Sequence, residues 1–215
     1  MSSAALRKVV QLNGMGKVWT LNGYVQSGLT AVCNALAAAG ITVDASRDTK
    51  FFDETQNSNI YQGLCFDGQA LAQAIPQGSA PWFAGQLNYS SAPSTVMQQS
   101  SVHRLWLQEV MSNLIFTHDV DLIITGTTAL APPTIAAHGA GDPSSMGYIA
   151  FTSILSICGY PAVSIPCGID PVTGTGFGIQ LVARHWRDYD LIRWAKQIES
   201  ICGPSILPGY VPVSP

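Results

Sequence analysis

The run GYPAVSIPCG, Gly159 to Gly168, is followed eight residues later by GFGIQLVA, Gly176 to Ala183. Each is an apolar segment too short for a helix and bounded by Gly or Pro, so both read as strands of a buried sheet. Gly159 closes the helical stretch YIAFTSILSIC, and Pro161 two residues on keeps the helix from continuing. Pro166-Cys167-Gly168 reads as the corner that turns the chain toward the second strand. Upstream, VDLIIT (Val120 to Thr125) is a further short buried strand. It follows SVHRLWLQEVMSNLIF, where Val102, Leu105, Trp106, Val110, Met111, Leu114 and Ile115 predict one helical face. Downstream, DYDLIRWAKQIESIC predicts a helix with Asp188 as N-cap and Leu191, Trp194, Ala195 and Ile198 turned inward. Near the N-terminus, Leu29, Val32, Cys33 and Leu36 fall at i, i+3, i+4 and i+7. Gly40 stops that helix and Ile41 to Val43 reads as a strand. Helices alternating with short apolar strands predict an α/β fold, a mixed β-sheet flanked by helices on both faces.

At 215 residues the chain has length for one sizeable core, read as a single domain over 1–215. Only 11% of residues are charged against 47% hydrophobic, well below the ~25% charged of an average globular protein. Such a chain either buries much of its surface in a thick core or presents an apolar face to a partner. The net charge of −3 and the scatter of the ten basic residues leave no footprint for nucleic acid or an anionic membrane. No apolar run reaches the roughly 18 residues that span a bilayer, and MSSAALRKVVQLNG has no secretory pattern. The expectation is a cytoplasmic protein. The five cysteines, Cys33, Cys65, Cys158, Cys167 and Cys202, are odd in number and never spaced as CxxC. That argues for reduced structural thiols rather than disulfides or a zinc site. No metal or other cofactor is implied.

Residues 48–101 break the pattern. This stretch is rich in Gly, Pro, Ser and scattered aromatics, and it reads as an irregular, loop-rich excursion. TALAPPTIAAHGAGDPSSMG is a second long loop of small residues.

The order helix, VDLIIT, a loop containing Ala131-Pro132-Pro133, helix, GYPAVSIPCG, GFGIQL and a helix ending at Glu199 resembles the C-terminal half of the amidase signature family. Asp121, Phe151, Thr152, Gly159, Pro161, Pro166, Gly168, Gly178, Gln180 and Leu181 stand where that pattern expects them. The likeness runs from about Asp119 to Glu199, and in order but more faintly from Leu29. Gly126, Ser156 and Gly176 depart from it. The resemblance implies hydrolysis of a small amide by a Ser nucleophile, a bridging Ser in an unusual linkage and a Lys. These normally lie in the N-terminal half, in a Gly/Ser-rich segment. No such segment occurs in these 215 residues. The resemblance also implies that the helix before Gly159 lines the substrate pocket, through Ile149, Thr152, Ser153 and Ser156. Thr127, in the small-residue run after VDLIIT, would border the same cleft, where ligands of open α/β sheets gather.

Substitutes for the missing triad are weak. His138, Asp142, Ser144 and Ser145 crowd one loop, but Asp142-Pro-Ser-Ser also reads as a turn and helix cap. Lys50, before Phe51-Phe52, is the least polar setting for a Lys base, which needs desolvation. Cys167 would need a neighbouring base to form thiolate. The expectation is a pocket-forming chain with no catalytic residue of its own, completed by a protein partner that carries the N-terminal half. The alternatives are an inactive binding or scaffold protein, possibly a homo-oligomer, and an enzyme with a rebuilt site.

Overall fold

The computed structural model describes residues 5–15, 19–52, 94–130 and 145–206. In chain order these form β1 (Lys8–Gln11), β2 (Gly14–Met15), β3 (Trp19–Thr20), α1 (Gly23–Ala38) and β4 (Thr42–Asp44). Then come α2 (Ser94–Val110), running directly into a π-helical turn (Met111–Ile115), and β5 (Leu122–Gly126). The C-terminal part is α3 (Ser145–Ile157), β6 (Ala162–Ile169), β7 (Gly176–Ala183) and α4 (Asp188–Ile206).

Five strands make one mixed sheet in the order β4-β1-β5-β7-β6. β1 runs parallel to β4 and β5, while β7 is antiparallel to both β5 and β6. The carboxyl ends of β1, β4, β5 and β6 therefore point the same way. Pairing parity sorts the side chains. Thr125, Ser164, Pro166, Gly178 and Gln180 share one face; Ile165, Cys167, Phe177, Ile179 and Leu181 share the other. A Cβ on Gly28 of α1 would lie 2.8 Å from both Cys167 and Phe177, so α1 packs on the second face. Gln180 donates to the carbonyl of Phe151 in α3 at 2.7 Å, so α3 covers the first. The α/β fold with helices on both faces is as the sequence predicts.

Helices α1 and α3 stop by the same device. Gly40 (φ 84°) and Gly159 (φ 75°) take the left-handed conformation that glycine tolerates best. Ile41 N–H bonds Leu36 O and Gly40 N–H bonds Ala37 O; Tyr160 and Gly159 repeat this on Leu155 and Ser156. Both are Schellman motifs.

Several boundaries differ from expectation. α1 starts at Gly23, where Asn22 caps it by accepting from the N–H groups of Tyr24 and Val25. β1 escaped notice because its four residues, KVVQ, offer only two apolar positions. Pro166-Cys167-Gly168 is no corner. β6 continues to Ile169 through a bulge, and the turn comes at Asp170, whose carboxylate accepts from Val172 N–H and Thr173 O–H. Arg187, not Asp188, gives the carbonyl that accepts the first bond of α4, so Asp188 sits inside the first turn. On α2 the buried line is Leu107, Met111 and Ile115, while Val102, Leu105 and Leu114 are exposed. Apolar residues spread around most of that helix, and only packing picks the inward side. Of the expected excursion, residues 53–93 lie outside the described residues; Phe51 and Phe52 are buried, and α2 already begins at Ser94.

Candidate functional site

The carboxyl ends of the strands hold the polar chemistry of the sheet. Thr125, fully buried at the end of β5, donates its hydroxyl to Leu12 O at 2.8 Å and so closes the β1–β5 seam. Two residues on, Thr127 N–H bonds Gly178 O at 3.0 Å, and its hydroxyl lies 2.6 Å from that of Ser164 on β6. Glycine at 178 permits this. A Cβ there would fall 2.8 Å from Ser164 Oγ, 3.0 Å from Ile165 O and 3.2 Å from Thr127 Oγ1. Gln180, next in the same row, is only 3% exposed. Its side-chain amide donates to Phe151 O and reaches Gly126 O at 3.5 Å, tying α3 to the end of β5.

Beyond the hydroxyl pair the hairpin opens into a cleft of about 470 Å³. Pro166 and Ile169 line it from β6, Gly176 and Gly178 from β7, with Ser164 at its inner end. The bulge matters here. By pairing Gly168 with Phe177 and Ile169 with Gly176, it returns Ile169 to the face of Ser164 and Pro166. Phe177 turns to the other side, against Gly28 and Gly168.

On α3, Thr152 and Ser153 are half-buried and Ser156 exposed, whereas Phe151, Ile154, Leu155 and Cys158 are buried. At 100° per residue the three hydroxyl residues form one row opposite the buried stripe. Position 149 falls in that row by spacing, three residues before 152; of Ile149 only the helical backbone is described. Thr127 belongs instead to the cluster with Ser164, and Gln180 links the two groups. Sequence reasoning did not single out Ser164 as a site residue. Its signal was the strand alternation itself, a hydroxyl facing away from Ile165 and Cys167 near a strand's carboxyl end.

The substitute nucleophiles and bases find no support where the structure describes them. Cys167 is 2% exposed, and burial pushes its thiol up to about 12. Cys33 and Cys158 are raised to about 12 and Cys202 to about 11, also by burial first. All four are free thiols. Lys50 is exposed, with its ammonium 3.8 Å from Asp48, the opposite of a desolvated base. His138, Asp142 and Ser144 lie outside the described residues, and of Ser145 only the backbone is described. Among the described residues no group of three His, Cys, Asp or Glu is placed to hold a metal ion. None of their helices is long and apolar enough to cross a membrane.

Comparison with known proteins gives the arrangement its context. Fatty acid amide hydrolase of Medicago truncatula is 34% identical over 91 residues, 40% of this chain and 15% of that protein. A glutamyl-tRNA(Gln) amidotransferase subunit from Ruegeria pomeroyi is 34% identical over 91 residues, 41% of this chain and 18% of that one. Among solved structures, 6-aminohexanoate cyclic dimer hydrolase in complex with substrate superimposes with a TM-score of 0.68 at 20% identity, covering 97% of this chain. A fatty acid amide hydrolase superimposes with a TM-score of 0.69 at 16% identity over 94% of it. The chain spans less than half the length of these two, 46% and 41%. The family profile described as Amidase matches residues 15–192, and with that match this chain belongs to the amidase family.

Proposed function

We propose that this chain forms the substrate-pocket wall of an amide (C–N) hydrolase of the amidase signature type, whose Ser-Ser-Lys centre is carried by a partner polypeptide. The observation that carries the reading is the carboxyl edge of the sheet. It sets a hydroxyl pair, Ser164 lining an open cleft and Thr127 bonded to it, in front of the buried amide of Gln180. Such groups orient an amide but cannot attack one. A nucleophile needs an adjacent base; burial raises the Cys167 thiol, and Lys50 is exposed and paired with Asp48. On this reading the outward row of α3, Thr152, Ser153 and Ser156 with Ile149 at the same spacing, lines the pocket on the side that the partner completes rather than the hairpin cleft itself. The substrate is a small amide, and the reacting groups approach from the side that these hydroxyls face.

Co-purification from the native host, with mass spectrometry of the bound polypeptide, tests this. The expected partner carries a Gly/Ser-rich Ser-Ser segment with an upstream Lys. The complex should hydrolyse an amide and take a serine-hydrolase probe on the partner alone. Hydrolysis by this chain in isolation would overturn the proposal, as would a chain that purifies only with copies of itself and gives no amide turnover. The second outcome is the self-associating scaffold that the unpaired outer edge of β6, at the end of the described sheet, would allow.

A further inference from the structure

From the cleft on the hairpin we infer that the amide it receives is uncharged and carries a flat apolar substituent, an aryl group above all. The substituent would lie over Gly176, between Pro166 and Ile169, with its polar end at the Thr127–Ser164 hydroxyls. This rests on the amide-hydrolase reading and specifies its substrate class.

Three observations carry it. First, no charged side chain lines the cleft among the described residues. The carboxylate of Asp170 at the hairpin tip is buried and engaged with Val172 N–H and Thr173 O–H, so it is not presented to a ligand. A substrate bearing a carboxylate or ammonium would lose water there and gain no countercharge, which selects against it. Second, the floor is flat. Gly176 offers bare backbone on the open face, where the nearest atom to an added Cβ is Gly168 O at 3.9 Å, whereas the space over Gly178 is taken by Ser164 and Thr127. A ring can therefore approach the strand face-on, while Pro166 and the half-exposed Ile169 (49%) cover its edge. Third, the polar contribution is confined to one end. The hydroxyls of Thr127 and Ser164 are 2.6 Å apart, and one hydrogen serves their mutual bond. The pair keeps a second O–H and free lone pairs for a ligand, so it can donate to a carbonyl oxygen or accept from an amide N–H. Apolar walls with a few convergent polar atoms are the usual makeup of a small-molecule site.

Equilibrium binding to the full chain, with any polypeptide that co-purifies, tests the inference using three probes. These are acetanilide, its para-carboxylate derivative, and phenylacetone, which has no amide nitrogen. Acetanilide should bind at least tenfold tighter than the carboxylate. Gly176→Leu, which fills the floor, and Ile169→Glu, which places a charge at the rim, should each weaken acetanilide at least tenfold. Ser164→Ala should weaken it several-fold. Circular dichroism and the urea midpoint establish that each variant is folded, and Gly176→Ala supplies a milder occlusion if Gly176→Leu is not. Equal or tighter binding of the carboxylate would overturn the inference. So would acetanilide binding that ignores all the cleft variants, although amide recognition would then survive elsewhere on the protein. If phenylacetone matched acetanilide and both lost affinity in the cleft variants, the flat neutral cleft would stand and the amide reading would fall.

Discussion

The two faces of the β6–β7 hairpin come from alternate residues of the same strands and have become opposites. One carries Ile165, Cys167, Phe177, Ile179 and Leu181 against α1 and α4. There Cys33, Cys167 and Cys202 meet in one packed layer, where burial first, and then Cys167 and Cys202, disfavour ionisation of Cys33. The other carries Ser164, Pro166, Gly176, Gly178 and Gln180, with hydroxyls, bare glycine backbone and one buried amide. A strand's period of two lets one segment serve as core and as site without compromise, because neither face needs the other's chemistry. The thiol-bearing face packs into the core, and the hydroxyl-bearing face is the one proposed for recognition.

The largest effect expected on breaking this division is alkaline unfolding driven from the thiol face. On that face Cys33 and Cys167 are raised to about 12 and Cys202 to about 11, and Cys158, at the end of α3 on the other side, is also raised to about 12. Unfolded thiols ionise near 8.5. A group whose folded value is raised contributes stability that is fully present below its unfolded value and is lost as pH rises toward the folded one. Urea midpoints should therefore hold from pH 7 to about 8.5 and fall steadily above it. Cys33→Ala should flatten that fall while lowering the midpoint at pH 7. A midpoint indifferent to pH between 8.5 and 10 would show that the thiols are accessible to water.

Gln180→Met comes next, with a similar shape and no donors. It removes the side-chain donor from Phe151 O, which keeps its helical bond, a loss of about 0.5–1.5 kcal/mol in the unfolding free energy. Since Gln180 ties α3 to β5, Gln180→Met should also weaken amide binding beyond what the lost stability explains, read as affinity at temperatures where the protein remains folded.

The two cleft glycines sharpen the comparison within one face. Gly178→Ala forces a methyl to within 2.8 Å of Ser164 Oγ and 3.0 Å of the Ile165 carbonyl, and backbone cannot yield easily. About 1–3 kcal/mol should be lost. At Gly176 the same methyl meets only Gly168 O at 3.9 Å, and stability should change by no more than about 0.5 kcal/mol. Equal urea midpoints for the two variants would mean that the Thr127–Ser164 pair does not depend on the bare backbone.

This hairpin also marks how far the sequence could be read. Strand periodicity and the Gly159 stop carried the two strands, the mixed sheet and the helices on both faces, because they follow from local spacing. The bulge did not announce itself. Pro and Gly flanking Cys167 suit a turn as well as a bulge, and only pairing with β7 decides between them. The face of α2 was misplaced for a related reason, since Val102 and Leu105 are as apolar as Leu107, and tertiary packing alone selects Leu107. Of the proposed site, the hydroxyl row of α3 entered through the family resemblance and Thr127 through its place at a strand's carboxyl end. Ser164 was not, because its setting depends on Thr127, just past β5, and Gly178 of β7, both distant in sequence.

The smallest effect belongs to a corner remote from the cleft, where β1 meets the start of β5. Lys8 donates to Asp119 at 2.6 Å and sits 3.8 Å from Asp44, while the backbone N–H groups of Arg7 and Lys8 donate to Asp121. Asp44 is held below the usual carboxylate range first by the Ser46 hydroxyl, and Asp119 by its hydrogen bond from Lys8. Depressed carboxylates contribute stability above their unfolded value near 3.9, and lose it as pH falls through the lower folded value. Lys8→Met should thus cost less than any substitution above, since the pairs are partly solvated, and the difference from the parent should shrink in high salt. It should also close as the pH drops below about 4. Amide affinity should be untouched at neutral pH. A charged corner that altered ligand binding from the far end of the sheet would instead mean that the strands transmit what happens at one edge to the other.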